Sequence, residues 1–502
     1  MGKKSKQFEL IKNTLVIFFS KFCTQFISFF LIPVYTKFLN TSDYGYIDLI
    51  QSYIALVVPI LLLRMDSAVF RFLIDARNNE KNKSKIISTI IYMCFIQIFI
   101  CVLISSIINY FFSIKYFAFI MINIITMSIF TILLQVARGL GKNNEYAIAS
   151  IICGLVNVSL TTILIIFLNM DSYVILIASS VGNVLASLFL VAKNKIISLF
   201  NSDNVDKEKL KEMLKYSLPM IPDGLSWWMV NVSDRTIISL MIGDSMNGVY
   251  AISSKFANIM QSFSGVFNIT WQESASVHID EDDRNLFFSQ VLDNSLRIFS
   301  STSILIMIFL PLIFNVMVGE DYRATYFYIP ILLIGNVFNA LSNVLGGAYI
   351  AKKITKEVAR TTMMCALVNI VINLIFINKL GLWAASISTL VAYIFLFVYR
   401  LIDIKKYVVF KINSKTLLMV IISSLVVSIL FYIRTYYTII INLIIGLSMI
   451  YILNKNNIKS ILIFIKNKLI KWKYEKKFNL WTFDLLQYGH IRLLKRAKRI
   501  KH

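Results

Sequence analysis

The chain has 502 residues, of which 57% are hydrophobic and only 16% charged, and its formal net charge is +24. That balance excludes an ordinary soluble domain. The placement of the basic residues also excludes a nucleic-acid binder, because Lys and Arg flank apolar runs of bilayer-spanning length instead of forming one basic face. A polytopic, all-α membrane protein is what remains.

Apolar runs of about 20 residues cross a bilayer as helices. Fourteen are expected, at 12–38, 46–75, 86–112, 116–137, 146–169, 172–192, 216–242, 247–274, 286–318, 326–350, 357–378, 381–402, 415–433 and 435–454. The opening MGKKSKQFEL leads from basic residues into a full-length run without a small-residue cleavage site, so no cleavable signal peptide is expected. With an inside N-terminus, the inside segments hold about 39 of the 51 Lys and Arg, and the outside loops about five (Lys37, Lys115, Arg323, Lys379 and Arg434). This asymmetry predicts that both termini are cytoplasmic.

The polar stretch 193–215 divides the chain after the sixth run. The expected organisation is an N-terminal six-helix lobe (1–192), a cytoplasmic linker (193–215), a C-terminal six-helix lobe (216–402), two additional helices (415–454) and a basic amphipathic tail (455–502). Internal similarity supports the duplication. Cys153-Gly-Leu-Val-Asn157 recurs as Cys365-Ala-Leu-Val-Asn369, and Glu145 meets Glu357 at the same offset of 212. FLNTSDYG, ending at Gly45, recurs as MIGDSMNG, ending at Gly248, at an offset of 203. Such repeats mark transporters whose halves are related by an axis along the membrane normal. The tail carries about 14 Lys and Arg, and Ile458, Ile461, Ile465, Leu469 and Trp472 keep a helical spacing among them. An interfacial helix on anionic lipid is expected there.

Charges inside the runs are concentrated in the first, second, seventh and eighth: Lys21, then Asp48, Arg64, Asp66, Arg71 and Asp75, then Asp223, Asp234 and Arg235, then Lys255 and Glu273. The ninth adds Asp293 and Arg297. A charge at bilayer depth faces a bundle interior or a watery path, and a positive balance suits an anionic ligand, with Arg shaped for phosphate oxygens. The bland alternative is pairing, such as Arg64 with Asp66 or Asp48 and Arg235 with Asp234 or Asp223. Trp227, Trp228, Tyr250, Tyr53 and Trp271 fall on the same helices. They offer flat faces to sugars or act as interfacial anchors, the reading preferred for Trp271. Pro33, Pro59, Pro219 and Pro222 make these helices the bendable ones.

The five cysteines (Cys23, Cys94, Cys101, Cys153, Cys365) lie in apolar runs and read as buried small hydrophobes. His278, His490 and His502 are too scattered for a metal site. There is no Walker-type glycine loop and no outside loop long enough for a catalytic domain, so an enzyme is not expected, nor a metal or cofactor.

Ser217-Leu-Pro-Met-Ile-Pro222, Ser226-Trp-Trp228, Asp234-Arg235, Gly248-Val-Tyr-Ala251, Lys255 and Trp271-Gln-Glu-Ser-Ala275 together resemble the bacterial polysaccharide or O-antigen flippases of the multidrug/oligosaccharidyl-lipid/polysaccharide exporter superfamily. Asn13, Leu31-Ile-Pro-Val-Tyr-Thr36, Asp43-Tyr-Gly45, Arg64 and Phe70-Arg71 are similar to the same family's first two helices. The resemblance implies two six-helix lobes around a central cavity, alternating access, and an undecaprenyl-pyrophosphate-linked oligosaccharide as cargo for capsule or O-antigen. Lys21, Arg64, Arg235 and Lys255 would then neutralise the pyrophosphate, while Trp227, Trp228 and Tyr250 line the sugar path. Asp66, Asp223, Asp234 and Glu273 are candidates for coupling a proton or sodium gradient. Expected partners are the lipid-linked substrate, anionic lipids at the tail, and polysaccharide polymerase and chain-length machinery. The alternatives are a peptidoglycan-precursor flippase, a multidrug exporter of the same superfamily, and, in a different class, a membrane polysaccharide polymerase.

Overall fold

The computed structural model describes residue 27 and residues 29–474 as backbone, with their side chains apart from positions 223, 226–228, 230, 231, 269, 355, 456, 457 and 460–474. The described residues are predominantly helical and contain no strand. In chain order the helices are α1 (Ile32–Phe38), α2 (Thr41–Leu61), α3 (Met65–Ala76), α4 (Glu80–Phe112), α5 (Phe117–Gly139), α6 (Asn143–Ile166), α7 (Val174–Asn194), α8 (Lys207–Ser217), α9 (Ile221–Ile242), α10 (Asp244–His278), α11 (Arg284–Met317), α12 (Thr325–Ala351), α13 (Thr355–Leu380), α14 (Leu382–Asp403), α15 (Ser414–Ile433) and α16 (Tyr436–Tyr474). Polar residues between apolar runs act as caps: the Oδ1 of Asn40 accepts from the Asp43 N–H at 2.8 Å, and that of Asn413 from the Lys415 N–H at 3.0 Å.

Among the described residues eleven helices are long and apolar enough to cross a membrane, against fourteen expected. The difference has a physical cause. The first run lies mostly outside the described residues, and α9 and α10 form as long helices but carry too much polarity to read as spans. The multi-pass character is unaffected.

Three local expectations are corrected. The run 46–75 is two helices, because the chain breaks at Leu63 and Arg64, both left-handed (φ 49° and 56°). Pro59 lacks an N–H and weakens the last turn of α2, whose end closes with the Arg64 N–H on the Pro59 carbonyl at 3.0 Å. Of the four prolines read as bends, only Pro59 is inside its helix; Pro33 and Pro222 open α1 and α9, and Pro219 opens a single 3-10 turn. Trp271 is no interfacial anchor. It is 3% exposed, its Nε1–H donates to the Val344 carbonyl at 2.7 Å, and a Cβ on Gly347 would stand 2.4 Å from that nitrogen. The segment carrying Ile458 to Trp472 continues α16 without a turn, and residues 475–502 of the expected tail lie outside the described residues.

The chain forms two compact units. Unit 1 comprises residues 1–256, 315–329 and 362–388; unit 2 comprises 257–314, 330–361 and 389–502. In unit 1, the Nδ2 of Asn123 pins α5 to α7 by donating to the Leu176 carbonyl (3.0 Å) and to the hydroxyls of Ser179 (2.6 Å) and Ser180 (3.1 Å). In unit 2, Arg297 ties the two additional helices to α11: it pairs with Asp293 at 2.8 Å and donates to the Leu453 carbonyl of α16 (2.8 Å) and the Thr416 hydroxyl of α15 (2.5 Å). Arg400, 2% exposed, donates to the carbonyl of Ser342 (2.9 Å) and the hydroxyl of Thr361 (3.0 Å), so α12, α13 and α14 share one cation.

The 193–215 segment is held against α4. Ser84 donates to the Leu199 carbonyl (2.7 Å), Ser88 accepts from the Asn201 N–H (2.9 Å), and Lys85 pairs with Asp206 (2.8 Å) while Asp206 caps α8. The Lys85 ammonium and the capped N–H groups hold the Asp206 carboxyl below the usual carboxylate range. A carboxylate that is more acidic folded than unfolded stabilises above the unfolded value of about 4 and loses that contribution as pH falls through its folded value. Limited proteolysis of 195–215 should therefore be slow at neutral pH and faster below pH ~4. Asp206→Ala should make it faster at neutral pH, with about 1 kcal/mol of capping lost.

Candidate functional site

The charged residues of α2, α9 and α10 meet inside unit 1. Arg235 and Asp48 pair at 2.7 Å (Nε to Oδ2), joining α9 to α2, with side chains only 14% and 11% exposed. One helical turn further along α2, the Tyr53 hydroxyl donates to the Thr236 hydroxyl at 3.1 Å. Lys255 of α10 stands over two tyrosine faces, 4.5 Å from the Tyr35 ring centre and 5.5 Å from that of Tyr44. No described carboxylate lies within ion-pair distance of Lys255, so the quadrupoles of two stacked rings hold this cation.

Asp234 follows the other side of α9. It is 4% exposed and accepts from the Tyr250 hydroxyl (2.9 Å), the Asn373 Nδ2 (2.9 Å) and, at 3.5 Å, the Asn369 Nδ2, while Ser388 donates to Asn369 at 3.4 Å. The Oδ1 of Asn373 is buried with no hydrogen-bond partner. Adjacent residues on a helix point about 100° apart, which explains how Asp234 reaches α10 and α13 while Arg235 reaches α2. Tyr250 is thus buried and hydrogen-bonded to a carboxylate.

Arg64 lies at the α2–α3 break as the residue before the first turn of α3. Its Nη2 approaches the Ser67 hydroxyl at 3.4 Å, its Nη1 would be 3.8 Å from a Cβ at Gly224, and its Nε is buried without a hydrogen-bond partner. Asp66 does not pair with it: one oxygen accepts from Ser67 at 3.3 Å and the other is buried without a partner. Arg71 and Asp75 form an exposed pair at 2.7 Å. Glu273 is exposed in unit 2. Lys21 and the side chains of Asp223, Trp227 and Trp228 lie outside the described residues. The structure therefore gathers Arg235, Asp48, Lys255, Asp234 and Tyr250 in the bundle of unit 1 and places Arg64 at the break in its wall. Asn373 and Ser388 escaped sequence reasoning, because an Asn or Ser in an apolar run carries no charge to single it out. The recurrence of Leu-Val-Asn at Asn157 and Asn369 was the one available signal.

Removing Asp48 strips Arg235 of its carboxylate in a nearly buried setting. Asp48→Ala should cost about 3–5 kcal/mol of stability, seen as a lower thermal midpoint of detergent-purified protein. Asp48→Leu combined with Arg235→Met should recover most of that loss, and a double mutant as unstable as Asp48→Ala would refute the pairing.

The polysaccharide biosynthesis protein family matches residues 10–271, just over half of the chain. An uncharacterized membrane protein of Methanocaldococcus jannaschii is 24% identical over 221 residues, covering 43% of this chain; the match spans about half (51%) of that relative's length. Among solved structures, the lipid II flippase MurJ in an inward closed conformation superposes with a TM-score of 0.67 at 17% identity, over 90% of this chain and 100% of that one. An inward-facing multidrug resistance MATE family transporter of the MOP superfamily gives 0.63 at 12% identity, over 77% of this chain and 95% of that one. These likenesses show the fold, and with the family match they place the sequence: the chain belongs to the polysaccharide biosynthesis protein family and has the all-helical fold of MOP-superfamily transporters.

Proposed function

We propose that the protein flips an undecaprenyl-pyrophosphate-linked oligosaccharide across the bacterial cytoplasmic membrane by alternating access, as a step in making a capsule or other surface polysaccharide. The observation that carries this reading is a pair of cations in unit 1 with no described ion-pair partner. Arg64 and Lys255 have no described carboxylate within ion-pair distance, on helices of a transporter fold in a polysaccharide biosynthesis family. A pyrophosphate supplies the missing negative charge, and the guanidinium of Arg64 has an unused donor for it. From the start of α2, Asp48 lies about 10 Å along the helix axis and Arg64 about 35 Å. The cations are thus spread through the depth of the bilayer, which suits a ligand that moves between them. The charge asymmetry of the loops supports cytoplasmic termini. Polymerase and chain-length proteins acting on the delivered unit are the partners this cargo would need.

Of the four candidate coupling carboxylates, Asp234 has the setting best suited to taking up a proton or a sodium ion. It is buried among neutral donors, with the free Oδ1 of Asn373 on the residue that donates to it. Asp234→Asn should reduce gradient-driven transport while leaving the protein folded.

The deciding experiment is gentle purification followed by mass spectrometry of co-purifying lipids, from wild type and from Arg64→Ala/Lys255→Ala. A polyprenyl-pyrophosphate glycan in the wild type, reduced at least about tenfold in the variant at equal membrane abundance, is expected; tenfold corresponds to about 1.4 kcal/mol of binding. Equal amounts in both would remove these two cations from cargo binding. A peptidoglycan precursor in place of the oligosaccharide would reassign the cargo, and the absence of any polyprenyl lipid from the wild type would sink the flippase reading.

A further inference from the structure

The two turns related by the sequence repeat touch each other. The Asp244 carbonyl approaches Gly45 so closely that a Cβ there would stand 1.9 Å from its oxygen, and the Thr41 carbonyl approaches Gly248 with a corresponding 2.1 Å. Thr41 and Asp244 are separated by the same 203 residues as Gly45 and Gly248. The contact is therefore its own counterpart: the first residue of α2 rests on the glycine one turn into α10, and the first residue of α10 on the glycine one turn into α2. The Thr41 and Ser245 hydroxyls meet at 2.6 Å, and Asn247 donates to the Gly45 carbonyl at 2.7 Å. Only glycine permits this approach, since any side chain would separate the backbones.

The stretch before α12 binds the same end of unit 1. A Cβ on Gly319 would stand 2.0 Å from the Thr36 carbonyl, and the Thr36 hydroxyl donates to the Met317 carbonyl at 3.0 Å. The buried Tyr322 hydroxyl donates to the carbonyls of Asn40 (2.9 Å) and Leu39 (3.3 Å). From the other side, Thr325 donates to the Val249 carbonyl and Ser253 to that of Thr325, both at 3.2 Å. One turn below Gly45 lies Asp48 with its Arg235, so this closure separates the charged layer from the end that loop charges put outside.

Two features make the closure suited to opening. The crossing itself is made from backbone, two short hydroxyl side chains and Asn247, with the Tyr44 ring packed edge-on against Tyr322 beside it, so few side chains have to repack when it parts. It also brings together two helix N-termini, whose like-signed dipole ends repel and are offset by Asp43 and Asp244 in the first turns. We propose that the Gly45–Gly248 crossing, backed by Gly319 and Tyr322, is the outer gate of the transport cycle: a backbone-on-backbone latch that parts when the path opens outward. The inference rests on the transport reading above, and its test needs no knowledge of the cargo.

In a background with the five native cysteines replaced, Thr41→Cys/Ser245→Cys should form a disulfide within the full chain in native membranes under mild oxidation. Failure to form it would overturn the contact. Separately, a reporter Ser52→Cys, one turn beyond Asp48, is challenged from outside in whole cells with a negatively charged, membrane-impermeant thiol reagent. Gly248→Val, which cannot close the crossing, should raise the labelling rate at least about tenfold, the shift expected when a minor open state becomes the major one. An unchanged rate in protein that remains monodisperse would overturn the gate. If Gly248→Val does not accumulate, Thr41→Ala/Ser245→Ala is read the same way, with a rise of a few-fold expected and an unchanged rate again refuting the proposal. Labelling that responds as expected alongside an absent polyprenyl lipid would keep the gate and discard the cargo.

Discussion

Placing an isolated carboxylate or guanidinium in hydrocarbon costs several kcal/mol, and the placement of polarity in this chain follows from that constraint. Asp48 and Arg235 are tolerated because each completes the other at 2.7 Å. Asp234 is surrounded by amide and hydroxyl donors, Arg297 and Arg400 saturate carbonyls as well as side chains, and Lys255 is held against aromatic faces. Each solution joins helices that are distant in sequence. Satisfying the polar groups and assembling the bundle are accordingly one process, and an apolar replacement at these positions would loosen the assembly as well as remove a charge.

The duplication imposes a second constraint. Two copies of one helical turn, FLNTSDYG and MIGDSMNG, supply matching glycines, and a pair of equivalent glycines is what a self-complementary backbone crossing requires. The second recurrence is not symmetric in its contacts. The Cys-Gly-Leu-Val-Asn copy places Asn157 beside Thr161, whereas the Cys-Ala-Leu-Val-Asn copy places Asn369 beside the Asp234 carboxylate. The Gly45–Gly248 contact thus joins equivalent positions of the sequence recurrence, whereas Asn157 and Asn369 have different partners.

Much of this was legible in the sequence. The helices α4 to α15, apart from α8, follow the apolar runs closely, because hydrocarbon thickness fixes the length of a span, whereas α16 runs on well past the last apolar run to Tyr474. The concentration of charge on α2, α9 and α10 was also plain, since a charge in an apolar run is conspicuous. What hydropathy cannot express is direction. It ranked Trp271 as an anchor, although the small Gly347 on α12 makes room for the indole in the interior. It drew 46–75 as one helix, because the left-handed Leu63 and Arg64 have no glycine or asparagine to announce them. Asn373 and Ser388 stayed hidden because a neutral polar residue gains meaning only from the carboxylate folded against its neighbours.

α9 joins these elements. Its consecutive residues Asp234 and Arg235 face different neighbours, one toward Tyr250 and Asn373, the other toward Asp48 of α2, three residues beyond the glycine on which Asp244 rests. A change of charge at Asp234 is therefore felt within one helical turn by the ion pair beneath the closed crossing. Neutralising that carboxylate removes a favourable field from the Arg235 guanidinium and strengthens its dependence on Asp48, whereas restoring the charge weakens it. Since α2 and α10 each carry one side of the crossing, an ion taken up at Asp234 would, under the proposals above, bias the crossing without touching either glycine. Such an arrangement would meet the physical condition for coupling: a two-state element whose balance a distant charge shifts by its differential interaction with the two states.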